Sequence, residues 1–208
     1  MDHEITRRTV VRTTAVIGAA AAVGSVLPAA SASAADGHKQ KRPATSANGW
    51  TIQPNSDRDS QVWTRPVAGT GLSLPVWIGD VEMVLLHVAR RFHYEVQEIT
   101  KVDLAGWRPL KGLRRGLAES NLASGTAVQI RPGAGAKGSL FPLQVATVRD
   151  ILADCQGVVR WGGDDKPVDE SLFYISVGPH DGRLAGVAAR IRGWDATPGE
   201  GAGVIAVR

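Results

Sequence analysis

Hydrophobic positions fall into two periods along this chain. Val81, Val84, Leu85, Val88, Ala89 and Phe92 recur at the three-and-four spacing of one buried helical stripe, with Glu82, Arg90 and Arg91 mostly off it. Val145, Val148, Ile151, Leu152 and Cys155 make a second stripe, on a helix that Pro142 opens and Gly157 stops. A third helix, Leu184 to Ile191, shows Leu184, Val187, Ala188 and Ile191. Elsewhere the period drops to two. Thr126, Val128 and Ile130 alternate with Ala127, Gln129 and Arg131, which predicts a strand. Val158 to Trp161 and Leu172 to Val177 are two more strands, with a turn at Gly162-Gly163-Asp164 after the first. Tyr94 to Trp107 alternates through Val96, Ile99, Val102 and Leu104 and predicts one or two strands. Between Trp50 and Trp77, Pro54, Pro66, Gly69, Gly71 and Pro75 punctuate short extended pieces. Single helices among short strands predict an α+β domain over residues 49–194.

The flanks carry no such pattern. Residues 35–48 are polar, with Lys39, Lys41 and Arg42, and read as a flexible linker. Residues 195–208 read as a loose, Gly-rich tail. The beginning is an address. Arg7-Arg8 precede an apolar run from Ala15 to Leu27, and Ala32-Ser33-Ala34 supplies a small-residue cleavage site. Residues 1–34 thus resemble a twin-arginine export signal, with Val10 where that pattern has Phe. The run is too short to cross a hydrocarbon core of about 30 Å, so no membrane anchor is expected after cleavage. The expected destination is outside the cytoplasmic membrane, extracellular or associated with the cell wall.

Composition narrows the chemistry. A net charge of +4 over 208 residues is no electrostatic footprint for nucleic acid, which needs a dense basic stripe. The single Cys155 excludes an internal disulfide and any multi-cysteine metal site, and its place on an apolar stripe marks it as an inert core thiol. His38 lies in the linker. His87 and His93 project about 240° apart around one helix and cannot share an ion. His180, after the last strand, is the histidine placed to approach Asp164, Asp165 or Asp169. Gly133-Ala134-Gly135-Ala136-Lys137-Gly138 lacks the spacing of a phosphate-binding loop and reads as a flexible one.

Two segments carry more specific information. Ser120-Asn121-Leu122-Ala123-Ser124-Gly125-Thr126-Ala127-Val128-Gln129 is the first. The second is Arg160-Trp161-Gly162-Gly163-Asp164 running on to Asp169-Glu170-Ser171-Leu172-Phe173. In order and spacing they resemble the zinc D-Ala-D-Ala carboxypeptidase and dipeptidase family, whose members include peptidoglycan endopeptidases and share the hedgehog-like peptidase fold. That family carries Ser-x-His-x-x-Gly-x-Ala-x-Asp, then Trp-Gly-Gly-Asp, then an acid, two residues and a second His. The resemblance covers roughly residues 64–192. It implies a small, mostly antiparallel sheet with helices packed on one side, and a cleft formed by Ser120, Trp161, Gly162, Gly163, Asp164 and Tyr174. It also implies Asp169 as the general-base position and Arg108, in Gly106-Trp107-Arg108, as a contact for substrate oxygen or carboxylate.

The departures from that pattern decide the expected activity. Leu122 stands where the family has its first His ligand, Gln129 where it has Asp, and Leu172 where it has the second His. A catalytic zinc needs three protein ligands with lone pairs and an open position for water. Leucine has none, and a neutral amide replaces a carboxylate poorly. Without the ion nothing lowers the pKa of the attacking water, and a lone Asp169 supplies only about 10²–10⁴-fold of general-base help. No zinc and no peptidase activity are therefore expected. Strand parity puts Gln129 and Leu172 on the side opposite the core residues Val128, Ile130, Phe173 and Ile175, where a cleft would lie.

Three functions stay open at this level. One is an exported, monomeric pseudo-peptidase that binds peptidoglycan stem peptide, Arg108 meeting a carboxylate and Asp169 an amine. Another is an active cell-wall peptidase with a metal site rebuilt around His180. The last is a structural, partner-binding secreted protein in which Leu122 and Leu172 pack together and fill the cleft.

Overall fold

The computed structural model describes residues 43–197, 199, 201 and 202; the expected export signal, most of the expected linker and the end of the tail lie outside them. The first elements form a hairpin, β1 (Val62–Val67) and β2 (Leu72–Trp77), paired antiparallel from Val62↔Trp77 to Val67↔Leu72. Pro66 and Pro75 sit inside these strands, which a two-stranded ribbon tolerates because each strand has an unpaired edge. Helix α1 (Asp80–Arg91) follows. The chain then returns through β3 (Leu104–Ala105), β4 (Ala127–Ile130), α2 (Pro142–Asp154), β5 (Val159–Trp161), β6 (Leu172–Ile175) and α3 (Gly182–Ala196). The six strands divide into that hairpin and a four-stranded antiparallel sheet in the order β3-β4-β6-β5. The molecule is α+β.

The two faces of the larger sheet do different work. Val128, Ile130, Phe173 and Ile175 point into the main core, where they meet Val84, Leu85 and Val88 of α1, Val148 and Ile151 of α2, and Leu184, Val187 and Ile191 of α3. Phe173 stacks on Trp161 and meets Phe92 edge-on, at centroid separations of 6.4 and 5.9 Å. The opposite face carries a separate apolar cluster of Leu122, Ala127, Leu172 and Tyr174. Cys155 is buried at the end of α2, and burial pushes its thiol up to about 12, so no thiolate forms at neutral pH.

Several expectations change. Between Tyr94 and Trp107 only Leu104–Ala105 is strand; Phe92–Val96 is a widened helical turn and Lys101–Asp103 a tight one. Ile99 is buried while Val102 is 85% exposed, so the apparent alternation never shares one sheet face. Residues 44–48, assigned to the linker by composition, are packed: Thr45 bridges Thr51, and Ser46 is buried. Hydrogen bonds hold that strap down. Ser46 Oγ–H donates to Ser124 Oγ (2.9 Å), Ala47 N–H to Ser120 Oγ (2.9 Å), and Asn48 Nδ2–H to the carbonyl of Ile175 (2.8 Å). The third helix also runs past Ile191 to Ala196, started by Asp181, whose carboxylate accepts from Arg183 N–H at 3.0 Å.

Arg91 lies inside rather than off the helical stripe, at 4% exposure. Its guanidinium pairs with Glu95, Asp150 and Asp154, and so ties α1 to α2. His87, one turn earlier, is also 4% exposed, and neither ring nitrogen has a hydrogen-bond partner among the described residues. Burial, with Arg90 and Arg91 nearby, lowers its pKa from 6.5 to about 4, against a smaller opposing pull from Asp195 and Glu95. Below pH 6.5 the unfolded chain gains a proton that the folded chain refuses until about pH 4. This part of the stability is complete above pH 6.5 and falls away between 6.5 and about 4. Urea titrations of the purified protein across that window should lose on the order of 2–3 kcal/mol from this group, a loss that His87→Leu removes.

Candidate functional site

The sheet face turned away from the helices opens on a cleft of about 470 Å³. Its floor follows from period-two alternation on three strands. Gln129 of β4 lies directly across from Leu172 of β6, and Ala127 directly across from Tyr174. On the far side of β6, Arg160 of β5 is opposite Tyr174. Leu122, fully buried in the tight turn Ala118–Leu122, joins Leu172 in the apolar cluster behind the floor. The three positions that diverge from the zinc pattern are therefore neighbours in space. Gln129 and Leu172 line the cleft; Leu122 backs it.

Asp169 lines the same cleft. Its Oδ1 accepts from Ser171 Oγ–H (2.6 Å) and Ser171 N–H (3.0 Å), and its Oδ2 accepts from Gln129 Nε2–H at 3.4 Å. No cation pairs with it among the described residues. The neighbouring acids are engaged. Asp165 accepts from Tyr174 O–H at 2.8 Å and pairs with Arg160 at 2.8 Å, while Glu119 pairs with Arg114 at 2.8 Å. That hydrogen bond from Arg114 holds the Glu119 carboxyl below the usual carboxylate range. Burial, reinforced by the Asp165 hydrogen bond, raises the Tyr174 phenol, so it stays a neutral donor.

Backbone crowding fixes the acid's position. A Cβ at Gly162 would run into the Asp169 carbonyl and Leu172, and one at Gly135 would strike the Asp169 carboxylate. Only glycine lets both loops approach so closely. The Gly133–Gly138 loop, expected to be flexible, is anchored: Gly138 N–H and Leu140 N–H donate to the buried Glu170 carboxylate at 2.7 and 3.0 Å, and Glu170 N–H donates to the Gly135 carbonyl at 2.8 Å.

The other expected site residues divide by strand parity. Gly162 and Tyr174 line the cleft. Trp161 does not: with Val159 it faces the main core, where its indole N–H donates to the Glu170 carbonyl at 2.8 Å. Gly163 packs against the Trp161 ring, and Asp164 turns outward to pair with Arg149 of α2, which also covers that ring. Ser120 is fully buried and serves the strap, donating to the Leu117 carbonyl and accepting from Ala47 N–H. Arg108 is exposed and does not line the cleft; its charge reaches Glu119 instead. His180 is exposed in a separate groove with Trp77 and Asp181, away from Asp164, Asp165 and Asp169. Sequence reasoning missed Arg114, Glu119 and Ser171, whose spacing gives no signal. It also missed Arg160, which the alternation of Val159-Arg160-Trp161 could have assigned to the cleft face.

The donor set does not fit a catalytic zinc ion. Two of the three positions are hydrocarbon, and among the described residues no three His, Cys, Asp or Glu side chains gather closely enough to hold a metal. What the cleft does offer is one carboxylate without a cation, an amide, a neutral phenol, the exposed Lys166 on its rim and an apolar floor. Those groups suit binding of a polar ligand with a cationic group.

Comparison of the chain with protein-family models, with curated proteins and with solved structures gives no match.

Because Glu170 alone receives the loop's Gly138 and Leu140 amides, Glu170→Ala should cost about 1.5–3 kcal/mol, the range for hydrogen bonds to a charged group. Hydrogen exchange should then accelerate at Gly138 and Leu140 while the amides of β4 and β6 keep their protection.

Proposed function

We propose that this chain is an exported, metal-free counterpart of the D-Ala-D-Ala carboxypeptidase scaffold that binds peptidoglycan peptides without cleaving them. The reading rests on one observation above the others. Gln129 and Leu172, more than forty positions apart in sequence, line one cleft with Asp169, and Leu122 packs with Leu172 behind its floor. The α+β architecture, with an antiparallel sheet and helices against one face, is compatible with that scaffold. So are the paired arginines and the cleavage motif of residues 1–34, which support export by the twin-arginine route.

In this reading Asp169 receives the ligand's amine. An ammonium group between Asp169 and the Gln129 side-chain carbonyl gains an ion pair that Asp169 does not make with any described residue. Leu172 supplies apolar contact for a small side chain such as alanine. In this reading the bound peptide is held rather than hydrolysed, because Leu122, Gln129 and Leu172 give no ligand set for an ion that would polarise the carbonyl and activate water. A second reading draws on the packing of Leu122 with Leu172: this cluster serves stability alone, and the protein's role is structural.

Two measurements separate these readings. Calorimetric titration with a synthetic stem peptide should give saturable binding that Asp169→Asn weakens; no binding favours the structural role. Metal analysis of the purified protein should find no stoichiometric zinc, whereas zinc lost on substituting His180 would establish a rebuilt metal site. The combined variant Leu122→His, Gln129→Asp and Leu172→His should acquire about one zinc per chain, since it restores two imidazoles and a carboxylate to adjacent positions. A triple variant that folds yet takes up no metal removes the basis for the proposed correspondence.

A further inference from the structure

The peptide-binding reading leaves the ligand's carboxylate without a preorganised partner in the cleft. Arg108 lies outside the cleft, Arg114 is already committed to Glu119 through both its backbone and side-chain N–H groups, and Lys166 is an exposed lysine on the rim beside Asp165, held by no hydrogen bond among the described residues. The cleft does not end at Tyr174, however. Tyr174 and Ala118 are shared walls with a second groove of about 380 Å³, which continues along the same sheet face. Its other walls include Asn48 of the strap, Asn121 and Arg160.

Two of these residues keep donor capacity that the protein does not use. Asn121 is 99% buried by its 1% exposure; its Oδ1 accepts from Asn48 N–H at 3.1 Å, but its Nδ2 has no partner. A buried amide donor left unpaired costs about 1–3 kcal/mol, so an oxygen brought to it is favoured. Arg160 stands directly across from Tyr174, with its side chain 55% exposed. One Nη2 bond to Asp165 uses a fraction of its five N–H groups, and the rest have no acceptor among the described residues. A hydrogen-bond donor and a guanidinium in one groove select an anionic oxygen pair.

We infer that Asn121 and Arg160 form a carboxylate subsite, so that a peptide lies along the sheet face with its amine at Asp169 and its C-terminal carboxylate beyond Tyr174. This inference rests on the peptide-binding reading and extends it. The polarity follows from charge: Asp169, which no cation pairs among the described residues, is at one end of the trough, and Asn121 with the remaining N–H groups of Arg160 is at the other. Tyr174, held neutral and tied to Asp165, separates the two ends and presents its ring to the ligand backbone.

The test uses the full-length protein and a synthetic stem pentapeptide ending in D-Ala-D-Ala, prepared either with a free C-terminal carboxylate or as the amide. Amidation should weaken binding about tenfold, as should Arg160→Ala with the free acid. The two changes should not add, because both remove the same contact. Arg160→Lys should recover part of the loss. The side-chain amide signal of Asn121 in nitrogen–proton correlation spectra should move with the acid and stay in place with the amide. If Arg160→Ala weakens acid and amide equally, or if the coupling appears at Lys166→Ala instead, the subsite is wrong while peptide binding stands. If the wild-type protein binds neither peptide, the peptide reading itself fails.

Discussion

Strand β6 supports the rest of the molecule because it is paired on both sides and buried on both faces. Its four residues alternate between two environments that cannot be exchanged: Phe173 and Ile175 complete the core beneath the helices, while Leu172 and Tyr174 form the floor of the cleft. A slip of one position would send the aromatic core residue into the cleft and the phenol into hydrocarbon, where its hydroxyl would lack the Asp165 acceptor. Register is therefore fixed from two directions. The positions of Gln129 and Arg160 follow from it, since each is held opposite a residue of β6.

Around this strand, polar groups do the positioning that apolar packing cannot. The strap of residues 44–50 is fastened by serine, asparagine and threonine side chains to the turn ahead of β4 and to the end of β6. Glu170 fastens the glycine loop from the opposite side. Both attachments are directional and satisfy backbone groups that would otherwise face a buried or crowded setting. The grooves on this sheet face are thus bordered by segments that well-directed hydrogen bonds hold between buried anchors, Trp50 at the end of the strap and Leu140 at the end of the loop. Charge pairing around the rim follows the same economy, with Glu119 and Asp165 both neutralised by arginine and Asp169 left open.

Much of this was legible in the chain. The helical stripes of α1, α2 and α3 were readable because a three-and-four apolar period has few other solutions over a dozen residues. Strand parity assigned Gln129 and Leu172 to the face away from the core for the same reason. The readings that failed share a cause. Arg91 and Ser46 are polar residues that burial accepts only because distant carboxylates and hydroxyls meet them. The alternation from Tyr94 to Trp107 is genuine in sequence, but only Leu104–Ala105 finds a neighbouring strand to pair with. Trp161 and Asp164 belong to a motif that suggests a site, yet the parity of β5 and the reach of Arg149 draw them to the other side of the sheet.

Local order, then, was written in the sequence: which segments coil, which extend, and which side of each strand is apolar, because these depend on spacing between near neighbours. Two leucines and a glutamine at ligand positions were equally plain, since a side chain's lone pairs are a property of the residue alone. Whether those positions meet, which arginine faces the cleft, and which carboxylate remains without a cation were decided only by the fold. Such facts depend on pairings between residues far apart in the chain, and no local period records them.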